Sequence, residues 1–375
     1  MSSMSPRSGF LARMACIPVA LRILAVLLVP ALLVPVFPQV VYPVFVMKVL
    51  CFALFAVAFN LLTGYTGLVS FGHAAFFGWA GYATGQMMLL FGPAGLPPEV
   101  AMLCGVAMAA AVGYVIGGLA IRRTGIYFAM ITLALSQVAY FMAVQVRWTR
   151  GEDGMQGIPR GKFLGLVDLS VDSHMYYFTL AVFVLGFLFV YRVIHSPFGQ
   201  ILKAIRDNAP RAVSLGYDTD RCKLLAFVLS AAVAGLAGSL KALVLQLVAL
   251  NDVSLPTSTE VLLMTLLGGL GTVWGPVLGA ALVVSLQNYL ATLGDVVTIV
   301  IGLIFVVCVS FFRRGFVGEW LALLQWRKAR VGAAAGAIDA GMATAAAAGG
   351  DAGGMGAGAG PDAAGMDGKA AGHTT

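Results

Sequence analysis

Nine apolar runs, at 19–37, 44–62, 74–91, 100–121, 126–146, 176–194, 224–245, 261–291 and 296–312, cross this sequence without one Asp or Glu. Most approach or exceed the ~20 residues a helix needs to traverse a hydrocarbon core. There every backbone amide and carbonyl must be satisfied within its own segment, which selects helices over strands. Charged residues are 10% of the 375 and hydrophobic ones 60%, whereas a soluble domain carries about 25% charged residues. So few charges cannot coat a surface facing water. The expected fold class is an all-α polytopic membrane protein of about eight transmembrane helices, with a membrane domain over 19–312 and a short cytoplasmic N-terminus, 1–18. The first run follows Arg7 and Arg13 in the manner of a signal peptide, but Arg22 interrupts it and no A-x-A-like site follows, so it is read as a retained span.

Orientation follows from the basic residues between the runs. With a cytoplasmic N-terminus, sixteen Lys and Arg fall inside, including Arg122, Arg123, Lys203, Arg206, Arg211, Arg221, Lys223, Arg313 and Arg314. Only Arg147, Arg150, Arg160 and Lys162 fall outside. Both termini are then cytoplasmic, provided that 261–291 enters and leaves by the same side. Gly268, Gly269, Gly271, Gly275 and Pro276 cluster at the middle of that run, where a continuous helix is weakest. The expectation is a re-entrant pair of half-helices broken there.

An earlier stretch is interrupted similarly, by Gly64, Gly67 and Gly72. Paired glycine-broken segments in two halves of a chain point to an inverted repeat and a transport pathway; glycines serving close helix packing are the other reading. On the first reading the path is lined by Gly67, Ser70, Gly72, His73, Gly268, Gly271, Thr272 and Gly275. His73 either lines that path or steadies the broken helix through its ring nitrogens.

Several chemistries find no support. The sequence contains no G-x-x-x-x-G-K-[ST] phosphate cradle, no HExxH and no GxSxG, so neither a nucleotide site nor catalytic residues are assigned, and the chain is not expected to be an enzyme. Cys16, Cys51, Cys104, Cys222 and Cys308 are scattered without metal-ligand spacing, so neither metal nor cofactor is expected. The net charge of +7 is dispersed between runs rather than gathered on a nucleic-acid platform. Acid-free spans lack the usual device of proton- or sodium-coupled carriers, although half-helix carbonyls can hold sodium. Lys48 and Lys241 lie near the ends of their runs and are expected to snorkel to the interface.

The connection 195–223 is the richest segment outside the spans. Ser196-Pro197 reads as an N-cap followed by Pro at the first helical position, and Phe198, Ile201, Leu202 and Ile205 recur at helical spacing. Pro210 opens a second short helix through Arg211, Ala212 and Leu215, which Gly216 can end in the left-handed conformation. Such a helix docks into a partner or rests on the bilayer. Beyond the basic segment 313–330, Ala and Gly make up 30 of the 45 residues of 331–375. That composition buries too little apolar area to offset its ordering entropy, so a disordered and dispensable tail is expected.

Four blocks carry a family resemblance: Asn60-Leu-Leu-Thr-Gly-Tyr-Thr-Gly-Leu-Val-Ser-Phe-Gly-His-Ala-Ala-Phe-Phe-Gly78, Arg123-Thr-Gly-Ile-Tyr-Phe-Ala-Met-Ile-Thr-Leu-Ala134, Ser196-Pro-Phe-Gly-Gln with Ala-Ile-Arg-Asp207, and Leu266-Leu-Gly-Gly-Leu-Gly-Thr272. With them, residues 45–315 resemble the LivM-type permeases of branched-chain amino acid ABC importers. The resemblance implies a bacterial inner-membrane subunit that passes branched-chain or other apolar amino acids to the cytoplasm. The implied partners are a second homologous permease, two cytoplasmic ATPases and a periplasmic binding protein, all around a lipid bilayer. It further implies that Arg206, Pro210, Arg211, Ala212, Leu215 and Gly216 contact the ATPase, although relatives often carry an acidic residue where this chain has Ala209. The run Trp148 to Gly157 is similar to the family's Thr-Gly-Gly-Ser-Asp-Gly loop, with Arg150 and Glu152 departing from it. Permeases for urea or short amides share the family, and an ion-coupled secondary transporter is the alternative from another class.

Overall fold

A computed structural model describes residues 42–290 except 93, 94, 124, 164 and 166, together with 299, 300, 302, 303 and 306. The expected span 19–37, most of 296–312, and segments 1–18, 313–330 and 331–375 lie outside the described residues.

Each remaining single-span run forms one helix. These are α1 (Pro43–Thr66), α2 (His73–Phe91), α3 (Pro98–Ala120), α4 (Ile126–Gln145), α5 (Asp172–Ile194) and α8 (Thr219–Leu245), with α6 (Pro197–Asp207) and α7 (Ala209–Ser214) between the last two. All of these except α2, α6 and α7 are long and apolar enough to cross a membrane. Local chemistry sets their ends. Pro43 and Pro98 stand in first turns, where a missing N–H costs nothing. Gly67, at φ 75°, ends α1 in the left-handed conformation. Ser196 caps α6 by accepting from Gly199 N at 3.4 Å, and Asn208 caps α7 by accepting from Arg211 N at 3.1 Å. The second of these helices therefore starts one residue earlier than Pro210.

The run 261–291 is the expected hairpin. It comprises α9 (Leu255–Gly268) and α10 (Gly275–Leu290), with the break at 269–274. At 1.5 Å per residue these helices are about 21 and 24 Å long, each short of a full bilayer core. They pack antiparallel and very close: a Cβ at Gly268 would fall 1.9 Å from Gly275 O, and one at Gly279 would fall 1.9 Å from Met264 O. One expectation needs correction. α9 begins six residues before the apolar run and so carries Glu260; the half-helix is not free of acids.

Lipid tails are as apolar as leucine, so membrane helices associate through close packing of small residues. That principle joins α2, α3 and α8. A Cβ at Gly238 would meet Phe77 O at 1.9 Å, one at Gly235 would meet Ala109 Cβ at 2.3 Å, and one at Gly105 would meet both Ser239 Oγ and Thr84 Oγ1 at 2.3 Å. The Thr84 hydroxyl donates to Ala101 O at 3.2 Å and lies 2.8 Å from Ser239 Oγ, adding a buried polar link.

The connections sort to two ends of the bundle. One end carries α6 and α7. The other, across α5 and α8, carries residues 146–171 and 246–253, where β1 (Met155–Gln156) pairs antiparallel with β4 (Leu247–Val248) and β2 (Lys162–Phe163) with β3 (Val167–Asp168). There Arg160 bridges Asp172 at 2.7 Å and donates to Val244 O at 3.0 Å, tying the 146–171 connection to the end of α8.

Candidate functional site

The two glycine-broken segments, far apart in sequence, meet at the end of α1. Asn60, buried on α1, accepts from Gly271 N at 2.9 Å through Oδ1 and donates from Nδ2 to Thr272 O at 2.8 Å. One carboxamide thus satisfies a donor and an acceptor of unwound backbone, as burial requires. The approach leaves no room for a side chain one turn on: a Cβ at Gly64 would lie 2.2 Å from Asn60 Oδ1 and 2.7 Å from Gly271 N. Within the second break Thr272 Oγ1 donates to Gly269 O at 2.8 Å and accepts from Gly275 N at 3.1 Å, while Gly269 and Gly271 take φ of 112° and 75°.

The first break, 67–72, is held by hydroxyls. Thr66 Oγ1 donates to Leu62 O at 2.6 Å and Thr63 Oγ1 to Leu68 O at 3.2 Å; Phe71 N donates to Thr132 Oγ1 at 3.3 Å and Gly72 N to Ser70 Oγ at 3.2 Å. Gly72 is pressed against α4, where a Cβ would lie 2.9 Å from Thr132 O. Ser258 of α9 accepts from Ala74 N at 3.0 Å, so the start of α2 is capped from the hairpin. His73 is buried, with its ring edge-on to Phe59, Phe76 and Phe227. Its Nε2 lies 2.9 Å from Ser230 Oγ, whose proton goes to Ala58 O at 2.6 Å. The proton between His73 and Ser230 therefore belongs to Nε2, and the ring binds a side chain rather than backbone.

Arg206 of α6 joins these parts. Its guanidinium donates to Gly64 O, its methylenes cover Gly67, and Nη1 lies 3.3 Å from where a Gly271 Cβ would stand. Lys203, one turn earlier, places Nζ 5.7 Å from the centre of the Tyr65 ring. In α7, Pro210 stands in the first turn, Gly216 takes φ 86°, and Arg211 and Leu215 are exposed. Ala212 is 2% exposed and faces the rest of the chain, whereas Val213 and Leu215 are 56% and 68% exposed. A cleft of about 350 Å³ separates α6 from α7, lined by Ala204, Asp207, Arg211, Ala212 and Tyr217 among others.

At the opposite end, the Asp168 carboxylate accepts from Ser170 N at 2.9 Å, which holds its pKa below the ordinary carboxylate value. Near that end the structure corrects the reading of Lys241. Its ammonium does not snorkel; it is buried against Asp252, which the sequence placed outside the apolar runs. Two residues escaped sequence reasoning: Asn60, the one amide side chain in the run 44–62, and Asp252, whose partner sits eleven positions earlier. Among the described residues no group of three or more His, Cys, Asp or Glu is placed to hold a metal ion.

Comparison with known proteins adds the family. The profile described as branched-chain amino acid transport system / permease component matches residues 44–309. The high-affinity branched-chain amino acid transport system permease protein LivM of Escherichia coli (strain K12) is 25% identical over 274 residues, 67% of this chain and 64% of that protein. LivM of Salmonella typhimurium is 24% identical with the same coverage. The autoinducer 2 import system permease protein LsrC of Salmonella paratyphi B is 28% identical over 170 residues, 44% of this chain and 48% of LsrC. The chain thus spans just under two thirds of the length of the LivM relatives. No solved structure matches.

Proposed function

This chain belongs to the permease family of branched-chain amino acid transport systems, and on that premise we propose that it is the membrane-spanning subunit of an ABC-type importer for branched-chain or other apolar amino acids. In this reading it lies in a bacterial inner membrane with α6 and α7 on the cytoplasmic side, as are both termini. It works with a second permease, two ATPases and a periplasmic binding protein.

The observation that carries the reading is Arg206. A helix lying between two membrane helices sends one cation onto Gly64 O, over Gly67 and beside Gly271. A partner that moves α6 and α7 therefore acts on both breaks at once, and ATP hydrolysis in a separate subunit acquires a mechanical route into the bilayer. Unwound backbone at membrane depth is tolerated where it is buried in protein or lines a cavity, which supports a substrate path past Gly67, Ser70, Gly72, His73, Gly268, Gly271, Thr272 and Gly275. On α7 the apolar partner-facing surface is Val213 and Leu215, with Arg211 supplying charge. Ala212 serves instead to seat α7 on the chain.

Proteoliposomes containing the assembly should take up leucine when ATP is supplied on the α6–α7 side and all ion gradients are collapsed. Uptake by this chain alone, driven by a sodium or proton gradient, would falsify the reading in favour of a secondary carrier. Uptake of urea or short amides in place of leucine would overturn the substrate assignment.

A further inference from the structure

Of the three ion pairs among the described residues, only Lys241 with Asp252 is buried at both ends, with side chains 9% and 11% exposed. A buried ion pair roughly breaks even against apolar residues of the same volume, so stability alone gives weak reason for one. Within a membrane domain such a pair marks a functional site by default.

Lys241 lies one turn before the end of α8, and Asp252 on the turn 250–253 that follows β4. The carboxylate also accepts from Ala249 N at 3.1 Å. The turn rests on a glycine track of α2: a Cβ at Gly78 would fall 3.1 Å from the Asp252 carbonyl carbon. One turn further along α2, Tyr82 is buried with a hydroxyl that has no hydrogen-bond partner. Around these groups lies the apolar cluster containing Met155, Leu243, Val244, Val248 and Val253.

We propose that Lys241 and Asp252 bind the α-carboxylate and α-ammonium of a zwitterionic amino acid at the end of the bundle remote from α6, with Tyr82 as a further polar contact and the apolar cluster receiving the side chain. The pair satisfies its own charges here, and a zwitterion carries both counterparts. Its carboxylate replaces Asp252 at Lys241 while its ammonium replaces Lys241 at Asp252, so no buried charge is left unpaired. A free carboxylic acid, an amine or a neutral amide cannot complete this exchange, because each leaves at least one charge uncompensated. The segment bearing Asp252 leaves α8 at Gln246, a non-glycine residue at φ 54°, and pairs with residues 155–156 by a two-residue ladder; the proposal requires this segment to move away from Lys241, a displacement that leaves every helix wound.

The proposal rests on the importer reading, and two measurements separate them. The assembly in proteoliposomes is supplied with ATP and saturating L-leucine. Wild type should transport, and the neutral double variant Lys241→Met with Asp252→Asn should insert and assemble but lose uptake about tenfold or more, as expected when charge-assisted hydrogen bonds are removed. Wild-type uptake with an equally active double variant overturns the site alone. Absence of leucine uptake in wild type overturns the importer reading and the site with it. Should the double variant fail to assemble, wild type decides: radiolabelled leucine bound to the nanodisc assembly without the binding protein should be displaced about tenfold less well by 4-methylpentanoate and by 3-methylbutylamine than by leucine. Equal displacement by either analogue overturns the site.

Discussion

Between Gly67 and Gly72 the chain leaves α1 and enters α2 on a backbone stitched by the hydroxyls of Thr63, Ser70 and Thr132. Between Gly269 and Trp274 it reverses on itself, clasped from outside by the single carboxamide of Asn60. The first break is held by hydroxyls on its own flank and on α4; the second is held by the Thr272 hydroxyl within it and by a carboxamide that belongs to another helix. Glycine content alone does not distinguish them. What differs is where the displaced backbone hydrogen bonds go, and that decides which break can be released by one event.

Substitutions can break this comparison in order of expected effect. Gly268→Val places a side chain in the carbonyl of Gly275, a clash between two backbones that cannot rotate away. The hairpin should be lost at a cost above about 4 kcal/mol, seen as absence of monodisperse protein in detergent. Asn60→Leu is next. It leaves Gly271 N and Thr272 O without their partner, at about 1–3 kcal/mol for each buried group, and should lower the melting temperature with faster protease cleavage at 269–274. Thr132→Val removes one of several stitches in the first break and should cost about 1 kcal/mol, with no change in cleavage at the second. A Thr132 effect as large as that of Asn60 would erase the distinction. Arg206→Met should alter stability least, since the residue is exposed at the surface, by about 0.5 kcal/mol. Its effect belongs to coupling: ATP hydrolysis by the assembly should no longer respond to substrate.

The spans and the hairpin were legible because each is announced by many residues at once. Acid-free runs of helical length mark α1 to α5 and α8, and five clustered glycine and proline positions mark the break at 269–274. Contacts carried by one residue were not legible. Asn60 has no periodic signature, and the sequence offers no reason to pair it with Gly271, 211 positions away. Lys241 followed the snorkelling rule because Asp252 lies beyond the end of its run, on a turn whose return to α2 depends on Gly78. Ala212 enters the ATPase contact through the resemblance alone; in the folded chain it is 2% exposed, while Val213 and Leu215 face outward. Arg150 is instructive in another way. It takes φ 60°, a left-handed conformation that costs a residue with a Cβ about 1–2 kcal/mol.

Gly238 against the Phe77 carbonyl, with Gly235 and Gly105 beside it, has a kinematic consequence. Two helices whose backbones touch cannot rotate about their own axes or slide past each other without overlapping atoms, so α2, α3 and α8 constitute one rigid link of the machine. His73 and Ser230 lie on that link, while Asn60 and the hairpin lie on its neighbours. In the importer reading, opening at the glycine breaks displaces α1 with α9 and α10 against this frame and breaks the Ser230–Ala58 and Ala74–Ser258 hydrogen bonds. A disulfide engineered within the frame should leave the transport cycle running, and one engineered between the frame and α9 should arrest it.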